Sequence, residues 1–147
     1  MDLKIGTILK LPVEGTEFYN GKEVYIVMHR GITYRVKKYP AQARTKRYLS
    51  CICTGESYLG RPIFEQAYAE ILSDLYEAGK VYQFKLASEC DDNNTGAPYY
   101  SLEDEHGLRH RLYTPRNPLL KVGDKVKVKV LAINQGFLSL ELQPLDP

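Results

Sequence analysis

The sequence predicts a mainly β protein made of two tandem five-stranded Greek-key barrels joined by one amphipathic α-helix. Two observations predict it. The stretch 63–79, IFEQAYAEILSDLYEAG, is where apolar residues recur at three- and four-residue steps, as on one helix face. The segments on either side alternate or turn, and they carry similar elements in the same order. We therefore expect a duplicated unit of about 70 residues, with barrels at 1–66 and 79–147 and a helix at 67–78.

Matching glycines support the duplication. Gly31 and Gly107 occupy the same place in a hairpin, and Gly60 and Gly136 precede the same last strand. Both pairs differ by 76 positions. A whole order of elements at a nearly constant spacing indicates a repeat rather than chance.

The first copy begins with a strand over residues 4–13. Pro12 has no amide hydrogen to donate, so it marks a bend or bulge where the strand changes partner. Residues 14–16 and the Asn20-Gly21 pair are turn-forming. Strands at 23–28 and 32–37 then form a hairpin around a three-residue loop, His29-Arg30-Gly31.

Alternation in this hairpin predicts which residues face the core. The predicted inward set is Val24, Ile26, Met28, Ile32, Tyr34 and Val36. With a three-residue loop, Tyr25 lies opposite Arg35 and Glu23 lies opposite Lys37, all on the outer face. The basic segment 39–46 is expected to form about one helical turn. A strand at 47–54 places Cys51 and Cys53 in the core, and residues 61–64 form the last strand.

The second copy repeats this plan. A strand at 80–89 precedes a polar turn at 90–97, whose spacing does not match a calcium loop. Strands at 99–104 and 108–113 flank the loop Glu105-His106-Gly107. Two prolines predict an irregular connection over 115–123. Residues 124–134 alternate valines inward with lysines outward, and 137–142 form the last strand.

Several classes of function are excluded by composition and motifs. Three cysteines make no disulfide framework, and the sequence has no signal peptide and no apolar run long enough for a membrane span, so we expect a cytoplasmic protein. It carries no phosphate-binding loop, zinc spacing or nucleophile elbow. His29 and His106 fall in loops and His110 on an inner face. We therefore predict no enzyme, metal, cofactor or small-molecule substrate.

The last two strands carry a recognisable motif, GDKVKVKVLAIN at 123–134 followed by GFLSLEL at 136–142, within the stretch 119–142. This resembles the closing hairpin of the OB-fold family, in particular the small RNA-binding barrels of ribosomal and ribonuclease proteins. The resemblance implies that each copy is an OB-like barrel, which binds nucleic acid along its second and third strands.

Charge and aromatic residues give that face a chemistry. Residues 1–66 carry a net charge of +5 and residues 67–147 a net charge of −3. Cations track phosphates and tyrosine rings stack on bases, so we predict binding to single-stranded RNA or DNA. The predicted contacts are Tyr25, Arg35, Lys37, Lys38, Tyr39, Arg44, Lys46, Arg47, Tyr48, Arg109, Arg111 and Tyr113.

An alternative stays open. Glu103 lies opposite Arg109 by register, so it can neutralise that arginine in an ordinary cross-strand pair, and alternating lysines also protect strands from aggregation. The chain can then be a protein-interaction or accessory domain of a larger bacterial-type protein, docking through its acidic second copy without binding nucleic acid.

Overall fold

The computed structural model describes residues 3–134 and 139–145. The predicted fold class is confirmed: the protein is mainly β, with two five-stranded antiparallel sheets, one of them a nearly closed barrel, and one short helix between them in the chain. The chain divides into two compact units, Met1–Leu75 and Tyr76–Pro147. No helix in the described ranges is long and apolar enough to cross a membrane.

The first unit has its first strand at the centre of the sheet. Its elements are β1 (Ile8–Tyr19), β2 (Lys22–His29), β3 (Ile32–Lys37), β4 (Tyr48–Glu56), β5 (Pro62–Gln66) and α1 (Tyr68–Leu75). The strand order is β3-β2-β1-β4-β5. β5 also comes alongside β3, so the two outer strands approach each other.

The second unit repeats this order around its own first strand. Its elements are β6 (Val81–Asp91), β7 (Pro98–Glu103), β8 (Arg109–Tyr113), β9 (Lys125–Asn134) and β10 (Ser139–Pro144). The strand order is β10-β9-β6-β7-β8, and β10 lies beside β8. The expected irregular connection between β8 and β9 is confirmed. The start of the predicted last strand and its Gly136 lie outside the described residues.

The helix is shorter than the predicted span 67–78. α1 buries Ile71 and Leu72, and it ends at Leu75. Tyr76 follows at once and packs its ring edge-on against Tyr82 and Phe84. The helix ends where the chain enters the second core, since Tyr76 belongs to that core.

β1 is one long strand rather than a strand and a turn. The predicted turn at 14–16 is wrong, because this stretch is a bulge between Val13 and Gly15 in a strand that continues to Tyr19. The prediction for Pro12 is confirmed: β1 pairs with β4 up to Pro12 and with β2 from Val13 onward. A long bent first strand can thus serve two neighbours.

The first hairpin differs from its prediction by one residue. Arg30 and Gly31 alone form the loop, both with positive φ (50° and 77°), and His29 pairs with Ile32. A one-residue change of register turns a strand over. Tyr25 therefore lies opposite Val36, not Arg35, and the predicted pair of Glu23 with Lys37 is also wrong. Tyr25 and Val27 point into the core, whereas Val24, Ile26 and Met28 point outward.

The second hairpin has the predicted three-residue loop. The amide of Asp104 donates to the carbonyl of Leu108 at 3.0 Å, and Gly107 has a φ of 83°. Glu103 therefore pairs with Arg109, as predicted. Tyr100, Leu102, His110 and Leu112 are buried, and so are Val126, Val128 and Val130 of β9.

The connection between β3 and β4 forms a turn rather than the predicted helical turn. The amide of Gln42 donates to the carbonyl of Tyr39 at 2.9 Å. After it, β4 carries Cys51 and Cys53 into the core, as predicted, and both side chains are fully buried. Burial, aided by the charge of Glu70, raises the pKa of Cys51 to about 12, which keeps this thiol protonated.

Candidate nucleic-acid interface

The first outer face is the surface of the first sheet that points away from its core. Because Leu11 and Tyr25 point inward, strand alternation sends their neighbours outward. We define the first outer face by these outward residues: Lys10, Glu17, Tyr19, Val24, Ile26, Arg35, Lys37 and Tyr48. It spans β1, β2, β3 and the start of β4.

Three cations on this face each lie over a tyrosine ring. Lys10 Nζ is 5.2 Å from the centroid of the Tyr48 ring, and Arg35 Cζ is 4.2 Å from that of Tyr19. Lys37 Nζ is 4.8 Å from the centroid of the Tyr39 ring. Tyr19 and Tyr48 are each about half exposed, at 47% and 48%. Each exposed cation–π pair of this kind contributes about 0.5–1 kcal/mol, so each cation holds its tyrosine ring weakly in place.

Ion pairing separates the cations of this face into two groups. Arg35 Nε donates to Glu17 Oε1 at 2.6 Å. Lys10 and Lys37, together with Arg47 immediately before β4, have no carboxylate within 4.0 Å in the described part of the chain. These three cations are therefore available to phosphate, whereas Arg35 is partly neutralised.

The prediction that Tyr25 is an outward nucleic-acid contact is wrong. It is fully buried, and its hydroxyl donates to the carbonyl of Ala43. Burial raises its pKa to about 12. The ring therefore fixes the β3–β4 connection from inside and cannot stack on a base.

Lys38 and Lys46 are also enclosed. The side chain of Lys38 is 2% exposed and lies 2.9 Å from Glu23. Lys46 Nζ lies 2.7 Å from both Glu70 and Asp74 of α1. Desolvation opposes charge on Lys46, but its hydrogen bonds to Asp74 and Glu70 outweigh this and raise its pKa. Both lysines hold the β3–β4 connection through their ion pairs. The basic run in the sequence is therefore not a free basic surface in the structure.

The remaining residues of this connection lie nearer to solvent. Tyr39 is half-buried, and its amide donates to Gln42 Oε1 at 3.0 Å. Arg44 is largely exposed, with Nε 3.0 Å from Glu23 Oε2. Arg47 is exposed immediately before β4. Tyr39 adjoins the first outer face through Lys37, whereas Arg44 pairs with Glu23, which points to the opposite side of β2 from Val24.

Two buried glutamines that sequence reasoning missed support this connection. Gln42 and Gln66 exchange side-chain amide hydrogen bonds of 2.7 and 2.6 Å. Gln42 Nε2 also donates to Asp74 at 2.8 Å, and Gln66 Nε2 donates to the carbonyl of Lys37 at 2.8 Å. The network ties the connection to β5 and α1. Nothing in local sequence marks a glutamine as buried.

The predicted contacts on the second hairpin are largely neutralised. Arg109 lies 3.4 Å from Glu103, as the cross-strand alternative expected. Arg111 lies 3.6 Å from Asp92 and stacks on Tyr99, with its Cζ 4.5 Å from the ring centroid. The Tyr113 hydroxyl donates to Asp92 at 3.0 Å. Backbone amides of residues 94 and 95 and the Tyr113 hydroxyl lower the pKa of Asp92, so this carboxylate stays charged beside Arg111.

Four lysines of the second unit form a separate strip. We call Lys85, Lys125, Lys127 and Lys129 the lysine strip; in the described residues none has a carboxylate within 4.0 Å. Lys85 lies opposite Glu103 on β7 and directly opposite Lys125 on β9. Like charges in opposite positions repel each other, whereas Glu103 offsets part of the charge of Lys85. The strip therefore concentrates positive charge on a unit that is acidic overall.

The inward position predicted for His110 is confirmed. His110 Nε2 lies 2.8 Å from Asp104 Oδ2, which also accepts the Tyr76 hydroxyl. Asp104 Oδ1 accepts the backbone amides of His106 and Leu108, each at 2.8 Å. Burial alone would raise the pKa of Asp104, but hydrogen bonds from His110, Tyr76 and Leu108 lower it to about 2. The cluster closes the second hairpin from inside.

Comparisons with known proteins add little. No protein-family model matches the chain, and no curated protein matches it. One similar solved structure is a multidomain protein with nucleic acid binding domains from Streptococcus pneumoniae TIGR4, with 12% identity and a TM-score of 0.34. The match covers 99% of this chain and 54% of that chain, so the chain spans about half its length. The described residues also hold no group of three or more side chains suited to a metal ion.

Proposed function

We propose that the protein is a non-catalytic module of the cytoplasm that binds single-stranded RNA or DNA on its first outer face. The observation that carries this proposal is the set of three outward cation–tyrosine pairs, Lys10 with Tyr48, Arg35 with Tyr19 and Lys37 with Tyr39. Stacked rings offer platforms for bases, and neighbouring cations neutralise phosphates. This combination accepts any base sequence.

We further propose that each unit is an OB-like barrel. In each sheet the first strand lies between the second and the fourth, and the fifth approaches the third. OB barrels bind along strands two and three, and here Arg35 and Lys37 of β3 lie beside the apolar Val24 and Ile26 of β2. An apolar floor with cations at its side suits unstacked bases and their phosphates.

Fluorescence anisotropy of labelled strands of about 12–20 nucleotides, RNA and DNA, tests the proposal at two salt concentrations. The triple change Arg35→Ala, Lys37→Ala and Arg47→Ala removes up to three phosphate contacts. The slope of log affinity against log salt should then fall by about 2, at about 0.7 per contact. Tyr48→Ala should weaken binding about fivefold or more, because a stacked base contributes about 1–3 kcal/mol.

A matched control removes the same charge elsewhere. Lys4, Arg61 and Lys121 are exposed and lie off both the first outer face and the lysine strip. Their replacement by alanine should lower affinity less and change the slope by less than 1, on the scale of one contact. Equal effects of the two triple variants on affinity and slope would show that binding depends on total charge rather than on the first outer face. No binding of either strand by micromolar protein at low salt would disprove the proposal.

A second candidate function is a protein-interaction or accessory domain without nucleic-acid binding. It is favoured by the loop between β4 and β5, where Tyr58 is 95% and Leu59 64% exposed. Two adjacent exposed apolar side chains offer a contact point for a partner protein. Failure of both strands to bind, together with capture of a defined partner that is lost in Tyr58→Ser and Leu59→Ser, would favour this function over the first.

A further inference from the structure

A groove of about 550 Å³ opens in the second unit. It lies between the β8–β9 connection, strand β9 and the end of β10. Its walls are mainly apolar, and they include Leu112, Leu119, Leu120, Val126 and Leu145. Small-molecule sites usually measure about 300–1,000 Å³, so the groove has the volume for one nucleotide.

The polar side chains that line the groove have a consistent character. Lys125 and Lys127, on either side of Val126 on β9, line the groove together with Gln83 and Asn117. No carboxylate is among the described lining residues. The nearby Asp124 carboxylate accepts the backbone amide of Lys121 at 2.9 Å. The groove is therefore apolar inside and cationic at its side, which selects an anion with an apolar body.

The wall formed by the connection is fixed in place. The amide of Asn117 donates to the hydroxyl of the buried Tyr100 at 2.8 Å, and Asn117 Oδ1 accepts the amide of Leu119 at 2.9 Å. The side-chain NH₂ of Asn117 has no partner among the described residues and remains available to a ligand. A preformed wall lowers the entropy lost on binding.

We propose that this groove takes one unstacked base of a bound single strand, with the adjoining phosphate on Lys125 and Lys127. The inference rests on the proposed function for the nature of its ligand, but it concerns a different surface. A base fills the apolar walls and presents donors and acceptors to Gln83 and Asn117. An aliphatic carboxylate would satisfy the walls and the lysines but would form no hydrogen bonds with either amide.

The direct test uses the full chain, labelled with ¹⁵N, and the four ribonucleoside 5′-monophosphates. Saturable shifts are expected at the amides of Leu119, Leu120 and Lys125 to Lys127. The matching nucleosides, which lack phosphate, should bind more weakly. Octanoate serves as the aliphatic anion. If octanoate shifts these amides and no nucleotide does, the assignment of a base to the groove is wrong.

A variant links the groove to strand binding. Leu119 is 82% exposed, so Leu119→Glu should fold while placing a negative charge at the groove. We expect about tenfold weaker binding of the labelled strand, within the range for one stacked base. Val122→Glu is the matched control: it adds the same charge to the same connection at a position 64% exposed that does not line the groove. Equal weakening by both variants would count against the groove.

The two proposals fail in different ways. If the strand binds and no nucleotide moves the groove amides, the groove inference is wrong and the first outer face stands. If nucleotides move these amides and neither strand binds, the proposed function is wrong and the groove binds a free nucleotide.

Discussion

The two units share one internal device and differ in how they display charge. Tyr25 of β2 and Tyr100 of β7 are both buried, and each hydroxyl bonds the backbone of the connection that precedes the fourth strand. On the outer surfaces, Lys10 and Lys37 of the first unit lie over tyrosines without a carboxylate, whereas Arg109 of the second unit faces Glu103. The two units thus share the buried tyrosine and its hydrogen bond, whereas their surface charges differ.

The largest expected effect on stability comes from changing the buried tyrosine that the two units share. Tyr25→Ala and Tyr100→Ala should each lower the free energy of unfolding by about 3–5 kcal/mol, because each removes a buried ring and leaves a cavity. Tyr25→Phe and Tyr100→Phe remove only a hydroxyl and should cost about 1 kcal/mol. Urea denaturation of the full chain measures this. Tyr48→Ala, at a half-exposed position, should cost less than about 0.5 kcal/mol; a comparable loss there would refute the special role of the two tyrosines.

A smaller effect should distinguish the second core. The lowered pKa of Asp104, about 2, means that its ionised form stabilises the folded second unit. This stabilisation is complete above the unfolded-state pKa near 3.8 and is lost as the pH falls through about 2. Asp104→Asn should therefore cost about 2 kcal/mol at pH 7, and the difference from the wild type should vanish toward pH 2.

Amide resonances of the two units, followed by NMR during acid titration, locate this effect. Among the described residues, Asp104 is the one buried carboxylate, so the variant should change the acid sensitivity of second-unit resonances alone. A difference between variant and wild type that persists unchanged at pH 2 would contradict the assigned role.

The smallest effect concerns neutralised cations. Glu17→Gln removes the ion pair between Glu17 and Arg35, and Glu103→Gln removes the ion pair between Glu103 and Arg109. Each change should raise affinity for a single strand about two- to threefold at low salt and steepen the salt slope by less than about 0.7, because the ion pair neutralises each arginine only in part. Glu17→Gln should have the larger effect, because Tyr19 still holds the Arg35 guanidinium in place.

Glu141→Gln is the matched control for charge alone, since Glu141 is exposed on β10 and has no ion pair in the described part of the chain. Anisotropy titrations at several salt concentrations measure all three variants. The same gain from Glu141→Gln would show that total charge, rather than release of a particular cation, determines affinity.

Most strands could be predicted from the sequence, but the register of the first hairpin could not. Alternation and turn residues mark strands wherever they occur, and Pro12 marked the change of partner. The letters His29-Arg30-Gly31 are compatible with a two- or a three-residue loop, because either places Gly31 at positive φ. The choice inverted β2 and placed Tyr25 inside.

The availability of cations could be predicted even less. Lys38 and Lys46 belong to a basic run, yet their partners Glu23 and Glu70 lie far along the chain and meet them only after folding. Asp92 likewise reaches Arg111 and Tyr113 from a loop before β7. A run of like charges in a sequence gives composition, whereas exposure depends on tertiary contacts.

The two-residue loop of the first hairpin has a consequence for exchange of parts between the units. Gly31 and Gly107 are 76 positions apart, whereas the buried tyrosines, Tyr25 and Tyr100, are 75 apart. The loop of the first hairpin is shorter by one residue, and Tyr25 lies one position nearer to its loop glycine than Tyr100 does. Either change without the other would turn the tyrosine outward. Loop length and strand position must therefore change together. A recombined chain should keep its fold only if residues 22–37 are exchanged whole with residues 98–113.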